Sequence, residues 1–309
     1  MSVEQRTGIP GRTEEIKRGN FIQSSANEIG QNTVRWFTEN VAISTPAEYH
    51  QDYLADYLAA VKAGYIPAFI GNHTAQFNAI QMSYVTREAI GLANEYLPED
   101  MQLKGAVMPF AKSMETGSQG KLAGFFYDSI KPLLARNGIV SVYTATQNDK
   151  VRRGEETNSI GFVGTMTAKM RNGYAAVAVF PEASVEGGKK GPEGKRKGMQ
   201  PFVDGSSATL LALAMKLRRP GVVFIPVGFT GSEKINSAST RWPTLEGFRA
   251  GFLMEKGVCT TKVGKPIRSD EPDIQKFVQK ESRDLKALDN RLGHAIAELL
   301  PEDLRGVYA

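Results

Sequence analysis

From residue 65 onward the chain alternates short β-rich runs with stretches of helical periodicity, and this alternation restricts its fold more than any other feature. The strand candidates are Tyr65 to Ile70, Gly105 to Phe110, Ile139 to Tyr143, Ala175 to Phe180, Val222 to Phe229 and Val258 to Val263. Between them, residues 76–95, 121–136, 157–172 and 206–218 carry apolar positions at helical spacing. Such alternation predicts an α/β fold with a mixed, largely parallel sheet flanked by helices. Leu285, Leu288, Leu292, Ile296 and Leu299, spaced three and four apart, form one stripe on a C-terminal packing helix.

The start of the chain reads differently. Ile22 to Val41 and Tyr53 to Val61 have helical periodicity with Pro46 between them, which predicts a small helical N-terminal module over 1–62 ahead of an α/β domain over 63–309. No apolar run approaches the roughly 20 residues that cross a bilayer. The first residues lack the apolar core of a signal peptide, so the expectation is a soluble cytoplasmic protein. A single cysteine, Cys259, excludes an internal disulfide and multi-cysteine metal sites. No metal or redox cofactor is implied.

Only three histidines are available as an imidazole base: His50, His73 and His294. His50 and His294 fall in segments read as helical and are assigned to packing or surface. His73 stands in Gly71-Asn72-His73, after a strand candidate and before a helix candidate, at the strand edge where open α/β sheets bind ligands. The positive end of a helix disfavours an imidazolium, leaving a neutral ring able to take a proton. Residues five apart on a regular helix point about 140° away from each other. His73 and Asn78 can therefore meet only if His73 lies ahead of the first full turn.

A histidine, four residues, then an acidic position at a strand-to-helix turn resembles the first signature of the glycerol-3-phosphate and lysophospholipid acyltransferase superfamily. Here it is His73-Thr74-Ala75-Gln76-Phe77-Asn78. Val179-Phe180-Pro181-Glu182-Ala183-Ser184 is similar to the family's Phe-Pro-Glu-Gly-Thr block. Phe224-Ile225-Pro226-Val227 is similar to its later strand with a central proline, and Val263-Gly264-Lys265-Pro266-Ile267 to the segment that closes the domain. The four blocks keep the family's order between Ala68 and Ile267, about two thirds of the chain. Pro201 to Ser207, leading into a helix, most resembles the soluble plastid-type glycerol-3-phosphate acyltransferases, which also carry a helical N-terminal module.

The resemblance implies transfer of a fatty acyl group from a thioester, on acyl carrier protein or coenzyme A, to a hydroxyl acceptor such as glycerol 3-phosphate. His73 would be the base, Asn78 its orienting partner, and Glu182 and Ser184 would line the acceptor side. Asn78 stands where the family has aspartate. An amide accepts a hydrogen bond but cannot neutralise an imidazolium, and a comparable exchange in serine proteases costs about 10⁴ in rate. A carboxylate such as Asp149 or Glu88 facing His73 would compensate. The family also places an arginine after the strand that matches Ile139 to Tyr143, where this chain has Thr144 to Gln147. Arg152, Arg153, Lys189 and Lys190 are the alternative anion contacts. The basic stretch Glu186 to Gly198 is otherwise expected to be a flexible loop.

A net charge of +5 and a pI near 9.1 favour an anionic partner: acidic carrier protein, coenzyme A, a phosphorylated acceptor, or the anionic surface of a membrane touched peripherally. Nucleic acid is not expected, because no aromatic residues interleave the basic run. A phosphate-binding loop fails at Gly194-Lys195-Arg196, which lacks the Ser or Thr that must follow the lysine. Ser184 and Ser206 lack the glycines of a nucleophile elbow. The competing reading is an acyltransferase-like protein that binds acyl or phosphate ligands without efficient turnover.

Overall fold

The computed structural model describes residues 42–44, 47–73, 78–111, 130–144, 159–174, 176–182, 190–191, 194–195, 198–203, 205–232, 257–279 and 284–309. The strands are β1 Ala42–Ser44, β2 Glu48–Tyr49, β3 Ile66–Gly71, β4 Ala106–Ala111, β5 Ile139–Thr144, β6 Ala176–Val179, β7 Lys190–Gly191, β8 Gly194–Lys195, β9 Val222–Thr230, β10 Gly257–Val263 and β11 Ile267–Arg268. The helices are α1 Tyr53–Lys62, α2 Asn78–Asn94, α3 over 130–136, α4 Ser159–Arg171, α5 Ser206–Lys216, α6 Pro272–Val278 and α7 Leu285–Ala297.

Nine of these strands form one sheet in the order β1-β10-β9-β3-β6-β4-β5, with β2 beside β10 and β11 beside β9. Every pairing is parallel except those of β9 with β10 and with β11. The protein therefore has the expected α/β fold with a mixed, mostly parallel sheet. Its centre is β3, buried throughout and flanked by β9 and β6, both parallel to it.

Side-chain alternation along the strands divides the core in two. On one face Phe69, Ile225, Val227 and Phe229 meet Tyr57 of α1, Ile80, Met82 and Val85 of α2, and Leu134 of α3. On the other, Ala68, Ile70, Val177 and Phe224 meet Met166 and Met170 of α4, Leu210 and Leu211 of α5, and Leu288, Leu292 and Ile296 of α7. Helices thus cover both faces. The stripe on α7 is buried at Leu288, Leu292 and Ile296, whereas Leu285, at the start of the helix, is exposed.

Residues 42–62, within the expected helical lead-in, supply two strands to this sheet and one helix to its core; Ile22 to Val41 lies outside the described residues. β1 and β2 pair parallel with β10, and α1 docks through Tyr53 and Tyr57, whose rings stack at 5.3 Å. His50 follows β2 rather than lying in a helix, and its Nδ1 accepts the Asp52 N–H at 3.2 Å. The basic stretch also departs from a plain loop, because β7 and β8 pair antiparallel with Gly191 opposite Gly194. Two facing glycines let the backbones close without side-chain crowding.

β9 runs on through Pro226, and it is the neighbour that breaks: β10 pairs as far as Val263 with Val227, and β11 resumes at Ile267 with Phe224. A proline has no N–H to offer that side. Its carbonyl still accepts the Gly264 N–H at 2.9 Å.

Candidate active site

Three adjacent parallel strands, β9, β3 and β6, end at the same edge of the sheet, and the residues just beyond them make the site. The first is Asn72, fully buried one residue past β3. Its Nδ2 donates to the Phe229 carbonyl at 3.0 Å, and its Oδ1 accepts the Phe229 N–H at 2.8 Å. The side chain behaves as one more rung of the β3–β9 ladder, which ends at Gly71 opposite Val227. Gly71 is needed for the close packing there: a Cβ would come within 2.8 Å of the Met82 methyl and 2.9 Å of the Phe229 ring.

His73 follows this anchored residue and precedes α2, as the geometry for meeting Asn78 requires. Its ring stacks on Phe180 at 4.4 Å between centroids, 19° from parallel, and Phe180 is the residue after β6. Its backbone N–H donates to Glu182 Oε1 at 3.2 Å. The histidine block and the Phe-Pro-Glu block, 109 residues apart in sequence, are thus joined by a ring contact and a hydrogen bond.

Glu182 is 4% exposed. Its second oxygen, Oε2, accepts the Gln200 N–H at 2.8 Å. Burial pushes its pKa up to about 8, against the opposing pull of the N–H donors of Gln200 and His73. Its carboxyl group therefore bridges two backbone segments.

Asn78 is fully buried at the head of α2. Its Nδ2 donates to Gln81 Oε1 at 2.7 Å and to Ser232 Oγ at 3.1 Å. Those bonds turn the Nδ2 of the amide toward Gln81 and Ser232. The Gln81 Nε2 is buried without a hydrogen-bond partner. Glu88 stands on the exposed side of α2, where its charge acts on the Tyr49 phenol. Arg152, Arg153, Ser184, Lys189 and Asp149 lie outside the described residues, and Lys190 is described by its backbone alone.

No known protein family and no curated protein matches this chain.

Several residues that shape the site carry no motif. Asn72 and Ser232 act through partners far away in sequence, Gln200 through its backbone N–H, and Gln81 through Asn78 three residues before it. Asp289 of α7 is another: its two oxygens accept the N–H groups of Gly205 and Ser207 at 3.0 and 3.1 Å, capping the start of α5. Gly205, at φ +79°, makes the left-handed turn that presents them. Among the described residues, no cluster of His, Cys, Asp or Glu could hold a metal ion, and no helix is long and apolar enough to cross a membrane.

Proposed function

We propose that the protein is an O-acyltransferase that moves a fatty acyl group from a thioester of acyl carrier protein or coenzyme A to a hydroxyl of glycerol 3-phosphate or a related glycerolipid. The observation that carries this reading is the joining of His73 to Phe180 and Glu182 at the ends of adjacent parallel strands. Ligands of open α/β sheets bind at this edge, and the contacts fix where the histidine ring stands there.

In this reading His73 takes the proton of the acceptor hydroxyl as its oxygen attacks the thioester carbonyl. The tetrahedral intermediate collapses, the C–S bond breaks and the thiolate departs, to be protonated by the imidazolium or by water. The acyl group goes directly to the acceptor, with no acyl-enzyme. Asn78 orients the imidazole through its carbonyl oxygen, and Glu182 fixes the backbone on which His73 is carried. Arg152, Arg153, Lys189 and Lys190 supply positive charge for the phosphate, and Ser184 a hydroxyl for the acceptor.

A second reading is favoured by Asn78 itself. An amide bonded to Gln81 and Ser232 provides no charge to balance an imidazolium, which suits a protein that binds acyl or phosphate ligands with little turnover. Acceptor-dependent thiol release separates the two. A catalytic base contributes about 10² to 10⁴ in rate, so His73→Ala should slow release by that factor. Equal rates in the wild type and the variant would sink the enzyme reading.

A further inference from the structure

We propose that the C-terminal segment Leu304 to Tyr308 is a positioning element for the His73 site, acting through residues 198–202 and Glu182. This rests on the reading of His73 as the functional centre.

The connection can be followed bond by bond. The Met199 N–H donates to the Leu304 carbonyl at 3.0 Å, and the Val307 N–H donates back to the Met199 carbonyl at 3.1 Å. The Phe202 N–H donates to the Tyr308 hydroxyl oxygen at 3.0 Å, and the two rings meet edge-on at 5.7 Å. The tail therefore holds residues 199–202 at both ends. Between those ends lies Gln200, whose N–H donates to Glu182 Oε2, while Glu182 Oε1 accepts from His73. One more bond ties the same segment to the Glu182 turn, from the Val203 N–H to the Pro181 carbonyl at 2.9 Å.

The tail is fitted to this task by close approach. Gly306, at φ +59°, lies so near Met199 that an added Cβ would fall 2.1 Å from the Met199 carbonyl oxygen. Gly198, at φ +80°, would likewise meet the Gly306 N at 2.5 Å. Gly293 of α7 leaves room for the Tyr308 ring, which a Cβ there would strike at 2.3 Å. Tyr308 is itself 4% exposed, and burial pushes its phenol pKa up to about 12, with the charges of Glu182 and Asp289 adding to the rise. A helix-packing role alone would call for the ring but not for the hydroxyl bond to Phe202.

Tyr308→Phe keeps the ring and removes the hydroxyl, so the buried Phe202 N–H loses its acceptor while the packing against α7 stays. Gly306→Ala displaces the tail by a different route. With three histidines in the chain, imidazole proton resonances can be assigned by substitution. His294, whose ring lies 5.5 Å from Tyr308, reports on the tail, and His73 reports on the site. Both variants should move the His73 resonance as well as that of His294. Misplacement near the reacting atoms costs up to about 10²-fold, so kcat should fall by roughly 10- to 100-fold while KM for the thioester stays near the wild-type value. A His294 resonance that moves while His73 and kcat keep their wild-type values would overturn the proposal. The histidine resonances read the coupling whether or not thioester is consumed, so the result stands apart from that of the acyl-transfer assay.

Discussion

Replacing Glu182 by glutamine should remove a pH dependence of stability that the wild type carries across the neutral range. The native carboxyl group holds its proton up to about pH 8, whereas its ordinary pKa in an unfolded chain is 4.5. Between those values the native state binds the extra proton, so stability falls as pH rises. The contribution is fully present below about pH 4.5 and is lost by the time pH passes 8. At about 1.4 kcal/mol per pKa unit, the interval corresponds to about 5 kcal/mol at most. Glutamine has nearly the same shape as the protonated side chain and does not titrate. Its Nε2 must face one of the two N–H groups that Glu182 satisfies with its two oxygens, a pH-independent cost of about 1–3 kcal/mol that should leave the variant the less stable near pH 5. Toward pH 8 the difference should shift in the variant's favour, by up to those few kcal/mol. Urea unfolding at a series of pH values between 5 and 8.5 measures this directly. Parallel stability curves for the two proteins, or a wild type that gains on the variant as pH rises, would refute the reasoning.

Three further expectations follow from the bonds around the site. Asn72→Ala strips both partners from the buried N–H and carbonyl of Phe229; at about 1–3 kcal/mol for each stranded group, denaturant unfolding should show a loss of about 2–6 kcal/mol. Asn78→Asp should fold normally, because Gln81 can turn its unpartnered Nε2 toward the new carboxylate and the Ser232 hydroxyl can donate instead of accept. Thiol-release rates should then rise, by as much as the roughly 10⁴-fold handicap of an amide at such a position, and an unchanged rate in a folded variant would remove Asn78 from the mechanism. Asp289→Ala takes the cap from α5 and leaves the N–H groups of Gly205 and Ser207 without their acceptor, so thermal unfolding should reveal a loss of about 1–2 kcal/mol.

The frame of the molecule was legible because buried parallel strands are written locally. Tyr65 to Ile70 and Val222 to Phe229 are apolar enough to be recognised alone, and they became β3 and β9 within a residue at either end. His73 was legible for the same reason, since a strand end and a helix start bracket it. β1 and β2 were not, because three- and two-residue strands carry too little pattern and form only against β10. The polar bonds that set the site were hidden more deeply. Asn72 finds Phe229 at a separation of 157 residues, Asn78 finds Ser232 at 154, and Phe202 finds Tyr308 at 106. A lone asparagine or tyrosine has no periodicity, and its partner exists only once the sheet has closed. Glu182 illustrates the difference: its block drew attention to it, but its bridging of two backbone N–H groups depends on a segment held by the far end of the chain.

The most direct measurement is a single-turnover experiment with protein in excess over a labelled acyl thioester, with and without glycerol 3-phosphate, on wild type and His73→Ala. The account predicts that label passes to the acceptor only when acceptor is present, that none stays on the protein, and that transfer is at least about 10²-fold slower without the imidazole. Label retained covalently on the protein, or equal transfer by the two proteins, would contradict it.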